Sequence, residues 1–212
     1  MRGYASAIFL ALGLLASLAW VPTIGAEDML SPGFVEGEDA EAEELALWEL
    51  VERERYVRAR EEAERYLAKH PESYVAHLVL GTAQHYGEAN FPKALFHEVQ
   101  ALDLFESEEG TEPTQTQPWR WHARILIALT RAHGDLEHYD EQLAFMLRYN
   151  ELYTPQLKAE RAWPLMKKRE FEKARLAAEE GLATGDPYQI ERAKNALCAI
   201  EFEAGNDRES YE

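Results

Sequence analysis

Apolar side chains recur every three or four residues through most of the chain, which places them on one face of an α-helix. In the first such stretch Leu45, Trp48 and Val51 lie on one side of the predicted helix. Ala, Leu, Glu and Arg are abundant, and these residues are strong helix formers. No segment of the sequence alternates β-branched and polar residues as a half-buried strand does. The pattern predicts an all-α protein.

The amphipathic stretches repeat with a nearly constant period. Ala59 and Ala94 are 35 residues apart, and Gln142 and Ala174 are 32 residues apart. Periods of this size are typical of helical hairpins that stack, because one hairpin cannot bury its apolar face alone. The period therefore predicts an α-solenoid built from antiparallel helix-turn-helix units.

Proline, glycine and polar residues mark the borders of these units. We predict hairpins over residues 41–73, 74–105, 119–154 and 155–186, followed by a partial unit over residues 187–212. The intervening residues 106–118 are rich in Glu, Thr, Gln and Pro, and we predict an insertion loop there.

Residues 1–26 have the composition of a secretory signal peptide. Arg2 precedes an almost wholly apolar run over residues 4–20, and Ala26 offers a small residue for cleavage. The alternative is an uncleaved membrane anchor, since the apolar run is close to the shortest length that spans a bilayer. Residues 27–40 are predicted to form an acidic flexible tether. Both alternatives predict an exported chain: periplasmic or secreted after cleavage, otherwise membrane-anchored and facing outside the cytoplasm.

Acidic residues outnumber basic ones by 39 to 22, so the formal net charge at pH 7 is −17. This charge disfavours binding to nucleic acids, and to lipid surfaces beyond a possible N-terminal anchor, because phosphate groups are repelled. The single cysteine, Cys198, has no internal partner for a disulfide. Its apolar neighbours predict a buried thiol, and the alternatives are an intermolecular disulfide or a reactive thiol.

The sequence contains no arrangement of residues typical of an enzyme or a metal protein. His97-Glu98 begins like the helix of a zinc protease, but Ala101 occupies the position of the second histidine ligand. No glycine-rich phosphate loop and no strand-turn-helix nucleophile motif occurs. We therefore expect no catalytic activity, no cofactor and no bound metal.

Several stretches resemble the tetratricopeptide repeat, a helix-turn-helix of 34 residues with small residues where its helices cross. The residues that carry the resemblance are Leu80, Gly81, Thr82, Ala83, Phe91, Ala94 and Ala101, then Tyr56, Ala59 and Pro71, then Phe171, Ala174 and Ala178, and an incomplete set of Leu197, Cys198, Gly205 and Ser210. The resemblance covers about residues 40–212 and predicts that Gly81 faces Ala94. Three residues depart from the family pattern, namely Leu47, Gln142 and Pro164, and the proline is expected to kink its helix.

In this family the first helix of each repeat lines a concave groove that holds a segment of a partner protein. The resemblance implies nine candidate contact residues: Trp48, Thr82, His85, Tyr86, Arg124, Arg131, Trp163, Lys167 and Phe202. The alternative places Trp48, Trp163 and Phe202 in the core, since they lie on apolar helix stripes. Arg124 and Arg131 could equally offset nearby acids, or form a basic patch that selects an acidic or C-terminal carboxylate peptide.

These observations favour a non-enzymatic scaffold of the cell envelope or the secreted space that binds an unidentified protein or peptide. The alternative is a membrane-anchored structural component of an envelope assembly complex, which would contribute spacing more than recognition. Both alternatives use the same repeat architecture and differ in the fate of residues 1–26.

Overall fold

The computed structural model describes residues 42–111, 119–153 and 155–205, and this part of the chain is helical with no strand. The α-helices are α1 (Ala42–Glu52), α2 (Tyr56–Leu67), α3 (Tyr74–Glu88), α4 (Phe91–Glu109), α5 (Trp119–Asp135), α6 (Tyr139–Leu152), α7 (Ala162–Lys167), α8 (Phe171–Ala183) and α9 (Pro187–Ala204). Two 3₁₀-helices, Pro155–Leu157 and Ala159–Arg161, precede α7. The predicted all-α class is confirmed.

Each helix packs against the next one along the chain, so the helices form consecutive pairs. Contacts also join α1 to α3, α3 to α5 and α7 to α9, whereas α7 meets the preceding pair mainly through α6. Over the described ranges, no helix is both long enough and apolar enough to cross a membrane. The predicted signal peptide or anchor (residues 1–26) and the tether (residues 27–40) lie outside the described residues.

The turns inside the four successive pairs α1/α2, α3/α4, α5/α6 and α7/α8 have nearly the same backbone conformation. Each contains one non-glycine residue in the left-handed region, with φ between 50° and 61°: Glu54, Ala89, Glu137 and Arg169. Side chains rarely adopt this conformation outside helix ends and tight turns. The same turn conformation therefore recurs at the same place in all four pairs.

The residue after each left-handed position also has a repeated geometry. Arg55, Asn90, His138 and Glu170 precede the second helix with φ between −96° and −83° and ψ between 54° and 69°. An aromatic residue follows in each case and begins the helix: Tyr56, Phe91, Tyr139 and Phe171. The turn between α3 and α4 is one residue longer than the turn between α5 and α6. The hydrogen bond that closes the first runs from Asn90 N–H to the Gln84 carbonyl, and the one that closes the second runs from His138 N–H to the His133 carbonyl.

The fourth residue of each second helix is buried: Ala59, Ala94, Gln142 and Ala174. Gly81 on α3 faces Ala94 as predicted, since a Cβ added at Gly81 would lie 3.1 Å from the Ala94 carbonyl oxygen. The larger Gln142 fits because α5 presents Gly134 opposite its amide group. Close helix approach is therefore achieved by small residues on either side of the crossing.

The apolar core has two parts. Helices α1–α6 bury a cluster with large side chains, among them Trp121, Tyr149, Phe105 and Leu78. Residues 159–200 bury a separate cluster that consists mostly of alanines with Met166 and Ile200. The candidate site lies against the first cluster.

Two boundaries differ from the sequence expectation. Helix α4 continues to Glu109, so residues 106–109 are helical and only Gly110 and Thr111 of the remaining predicted loop are described. Pro164 is the third residue of the short helix α7, where the absent N–H would have no intrahelical acceptor. The proline therefore lies in the first turn of a short α-helix, and the helix predicted to be kinked there begins only at Ala162.

The prediction of a buried Cys198 is wrong, because this residue is exposed. Helix α9 buries Gln189, Ala193, Ala196 and Ile200, which follow one another at intervals of three and four residues. Cys198 is two residues from Ala196 and therefore lies on the far side of the helix.

Candidate functional site

A cleft runs between the first helices of successive pairs. Its inner part, here called the inner pocket, has a cavity volume of about 30 Å³ and lies between α1, α3, α4 and α5. Its outer part, here called the outer cleft, has a volume of about 300 Å³ and lies between α3, α5, α6 and α7. His85, Tyr86 and Arg131 line both parts, so the two share a wall.

Most of the nine candidate contact residues meet in this cleft. The inner pocket is lined by Trp48, Thr82, His85, Tyr86, Arg124 and Arg131. Trp163 lines the outer cleft, and Lys167 lies over the Trp163 ring with its Nζ 5.0 Å from the centroid. Phe202 on α9 lines neither part and is 62% exposed. Of the three aromatics with an alternative place in the core, Trp48 is buried there, whereas Trp163 and Phe202 are exposed.

Arg124 forms the floor of the inner pocket. Its guanidinium carbon lies 4.5 Å from the Trp48 ring centroid and 4.9 Å from that of Trp121, an arrangement in which the ring faces attract the cation. Its Nη2 is 3.4 Å from Glu52 Oε1. Burial lowers the pKa of the Arg124 guanidinium to about 10, and the Glu52 carboxylate opposes this shift. The group stays charged at neutral pH, but its charge is already neutralised from within the chain.

Arg131 and Tyr86 form the shared wall. The Arg131 guanidinium donates a hydrogen bond of 2.7 Å to the Tyr86 hydroxyl, and its carbon lies 5.9 Å from the Tyr86 ring centroid. Tyr86 also stacks on Tyr56, with centroids 5.8 Å apart, and remains 40% exposed. Burial raises the pKa of Tyr86. The wall thus presents a neutral aromatic surface that is held rigidly by two neighbouring helices.

His85 and Asp135 link α3 to the end of α5. The His85 Nε2 is 2.9 Å from Asp135 Oδ2, and about half of the Asp135 side chain is exposed in the outer cleft. Burial lowers the pKa of His85, while Asp135 opposes that shift and Arg131 adds to it. A neutral His85 that donates Nε2–H to Asp135 satisfies both groups.

Glu98 reaches the inner pocket from α4 and is only 1% exposed. Gly81 makes room for it, since a Cβ at Gly81 would lie 2.8 Å from Glu98 Cγ. The Oε2 atom of Glu98 has no hydrogen-bond partner within the described chain. Burial raises the pKa of Glu98 to about 8, the positive charge of Arg131 opposes this, and Asp135 adds to it.

No protein-family model, curated protein or solved structure matches this chain in the comparisons with known proteins. The geometry of the cleft is therefore the basis for any functional assignment. Within the described ranges, no group of three or more His, Cys, Asp or Glu side chains is arranged to hold a metal ion.

Three residues that line the cleft were not among the contact residues predicted from the sequence, namely Glu98, Asp135 and Gln142. A signal for Glu98 existed, because it follows Ala94 by four residues and precedes Ala101 by three, in the middle of a small, buried helix stripe. A carboxyl group in such a stripe is either paired or functional. Asp135 is at the end of α5, and its position against His85 depends on packing between helices that are 50 residues apart in sequence.

Proposed function

We propose that this protein is a non-enzymatic binding scaffold whose helical pairs stack as a solenoid similar to tetratricopeptide repeats. Four turns of the same conformation and contacts between alternate helices support the repeat architecture. The cleft between the first helices would hold a segment of a partner protein, as the family resemblance implies. The predicted signal sequence favours action outside the cytoplasm.

The observation that carries this proposal is the convergence of side chains from α1, α3, α5 and α7 along one cleft. Aromatic side chains at partly exposed positions, here Tyr86 and Trp163, are common anchors in protein interfaces. Rigid support of Tyr86 by Tyr56 and Arg131 reduces the entropy lost on binding. The inner pocket is too small for a metabolite, which favours insertion of one side chain of a larger ligand.

Site-specific photocrosslinking tests the proposal. A photoreactive phenylalanine analogue replaces Trp163 in the outer cleft, and in a matched protein it replaces Phe96, an exposed aromatic on α4 outside the cleft. We expect the analogue at position 163 to crosslink one defined segment of a partner, mapped by mass spectrometry, and the analogue at position 96 to give no such product. Equal crosslinking from both positions, or none from position 163, contradicts a segment-binding cleft.

A further inference from the structure

The inner pocket contains a carboxyl group that the folded chain leaves without a donor. Glu98 is 1% exposed, and its Oε2 has no hydrogen-bond partner among the residues described. Buried polar atoms in native proteins are nearly always paired, and an exception calls for an explanation such as a bound water, ion or ligand. The pocket volume of about 30 Å³ leaves room beside Glu98 for a small group.

Most of the buried polar atoms of the cleft that lack a hydrogen-bond partner among the described residues are oxygen acceptors. Besides Glu98 Oε2, the Oε1 of Gln142 is buried without a partner and lines the outer cleft. Arg124 Nε is a buried donor of the cleft that also lacks a hydrogen-bond partner, but its guanidinium group is enclosed between the Trp48 and Trp121 rings. A ligand that supplies N–H donors would therefore satisfy more of the cleft than a ligand that supplies acceptors.

The charges of the cleft point to a cation. Arg124 is paired with Glu52, and Arg131 donates to the Tyr86 hydroxyl, so neither guanidinium is presented in the way an anionic ligand requires. Asp135 adds a half-exposed carboxylate at the entrance. The chain as a whole carries a net charge of −17, which attracts basic partners and repels acidic ones.

We propose that the bound segment inserts a lysine side chain into the inner pocket, where its ammonium group pairs with the Glu98 carboxylate. The methylene stem would lie along the exposed face of Tyr86, which attracts a cation as well as apolar groups. An ammonium group is compact, whereas a guanidinium group is a wide planar fork, so the small volume selects lysine over arginine. This inference rests on the proposed role of the cleft in segment binding.

Amine binding would also explain why burial of Glu98 is tolerated. Burial raises the pKa of this carboxyl group to about 8, with Arg131 opposing and Asp135 adding to the shift. His85, Tyr86 and Thr82 on α3 and Arg124 on α5 line the same pocket. A bound ammonium favours the ionised carboxylate, so binding must lower the pH at which Glu98 titrates.

The test uses small probes on the full-length protein with ¹³C-labelled glutamate carboxyl groups. n-Butylammonium is the lysine mimic, n-butylguanidinium tests the arginine alternative, and n-butyrate tests an acidic ligand, all at constant ionic strength. We expect the Glu98 titration midpoint to fall by about one pH unit or more with saturating n-butylammonium. We expect little change with the guanidinium probe and none with butyrate. The Glu98 signal is assigned by its absence from the Glu98→Gln protein.

A pair of variants localises the effect. Glu98→Gln keeps the shape of the side chain and should weaken n-butylammonium binding by about tenfold or more. Asp103→Asn removes one negative charge from the exposed side of the same helix and should leave the affinity within about twofold. An unchanged Glu98 midpoint, equal binding by both variants, or preferential binding of butyrate each overturns the lysine assignment. A segment crosslinked from position 163 would survive that failure, so the two proposals fail separately.

Discussion

Helices α1–α6 and helices α7–α9 bury different kinds of core. In the first region Trp121, Tyr149 and Phe105 are fully buried, and each brings a large apolar area. In the second region Ala174, Ala178 and Ala193 are fully buried, and the larger apolar side chains are few. Stabilisation by burial grows with apolar area, so we infer that the first region contributes most of the free energy of unfolding.

The two regions also treat a buried carboxyl group differently. Glu98 Oε2 of the first region and Glu160 Oε1 of the second region are both buried without a hydrogen-bond partner among the described residues. The other carboxyl oxygen of Glu160 accepts a hydrogen bond of 3.1 Å from the Gln189 side-chain amide. Burial raises the pKa of both groups, and the Gln189 hydrogen bond opposes that shift for Glu160. Gln189 also donates to the carbonyl of Gln156 and accepts from the Ala159 amide, so it joins α9 to the segment before α7.

The two carboxyl groups differ in how they are tied to neighbouring helices. The polar group of the second region ties its own helices together with several hydrogen bonds, as a structural network does. The polar group of the first region borders a cleft, lacks such ties and is supported by a large apolar core. The cleft and Glu98 lie in the region with the larger core.

The difference in core size predicts a large loss of stability on truncation in the first region. Phe105→Ala removes a fully buried ring that packs edge-on against Tyr74 and stacks on His122. We expect the free energy of unfolding in denaturant to fall by about 3–5 kcal/mol. Phe96→Ala is the matched control, because Phe96 is 60% exposed on the same helix and its loss should change the value by less than about 0.5 kcal/mol.

The comparison would fail if Ile200→Ala, in the alanine-rich region, destabilised the protein more than Phe105→Ala. Ile200 is fully buried and is the largest such apolar side chain of its cluster. Its truncation should cost about 2–4 kcal/mol. Hydrogen exchange should show the lost protection mainly over residues 155–205, since the two clusters are separate.

Glu98 should make the free energy of unfolding depend on pH. The pKa of Glu98 is raised from an ordinary value near 4.5 to about 8, so the unfolded chain loses this proton at lower pH than the folded chain. The stability contribution of Glu98 therefore declines as the pH rises from about 4.5 to 8 and then stays low. Glu98→Gln lacks this decline, and by pH 9 it should be more stable than wild type by on the order of 2 kcal/mol.

Other groups near Glu98 also titrate, so the measurement compares variants across pH. Arg131 and Asp135 on α5 and His85 and Tyr86 on α3 are present in both proteins, and their effects largely cancel in the difference. Denaturant unfolding at several pH values between 5 and 9 gives that difference. Asp103→Asn, an exposed change on the same helix, should show no such trend. A constant difference between Glu98→Gln and wild type would contradict an unmet, raised-pKa carboxyl group.

The sequence indicates the helices and their repetition because both follow from local patterns. Periodic apolar residues predict the helices, and the aromatic residues at the starts of second helices, such as Tyr56 and Phe91, mark the turns. Packing between helices determines the rest. Phe202 and Cys198 are exposed because they lie outside the stripe of α9 that packs against the other helices. The orphaned oxygen of Glu98 depends on which donors neighbouring helices supply, and no local pattern encodes that.

The smallest expected effects come from glycines at close helix contacts, and they compare a contact with Cβ and backbone atoms with contacts to longer side chains. A Cβ added at Gly181 on α8 would lie 2.6 Å from Ala159 Cβ and 3.0 Å from Ala159 Cα. These atoms cannot move without the backbone, so Gly181→Ala should cost about 1–2 kcal/mol in spite of alanine's better helix propensity. Denaturant unfolding measures this cost.

Two glycines of the first region, Gly81 and Gly134, should tolerate the same change better, whereas at Gly87 an added Cβ would lie 2.7 Å from Tyr56 Cβ and the cost should resemble that at Gly181. At Gly81 the nearest atom to an added Cβ is Glu98 Cγ, 2.8 Å away, although the Ala94 carbonyl oxygen at 3.1 Å limits the adjustment. At Gly134 the nearest atoms belong to the end of the Gln142 side chain, which can rotate away. We expect the cost to fall in the order Gly181→Ala, Gly81→Ala, Gly134→Ala, with the last within about 0.5 kcal/mol of wild type because the clash is offset by helix propensity. The reverse order would show that the Ala159 contact at Gly181 is more adaptable than the contacts at Gly81 and Gly134.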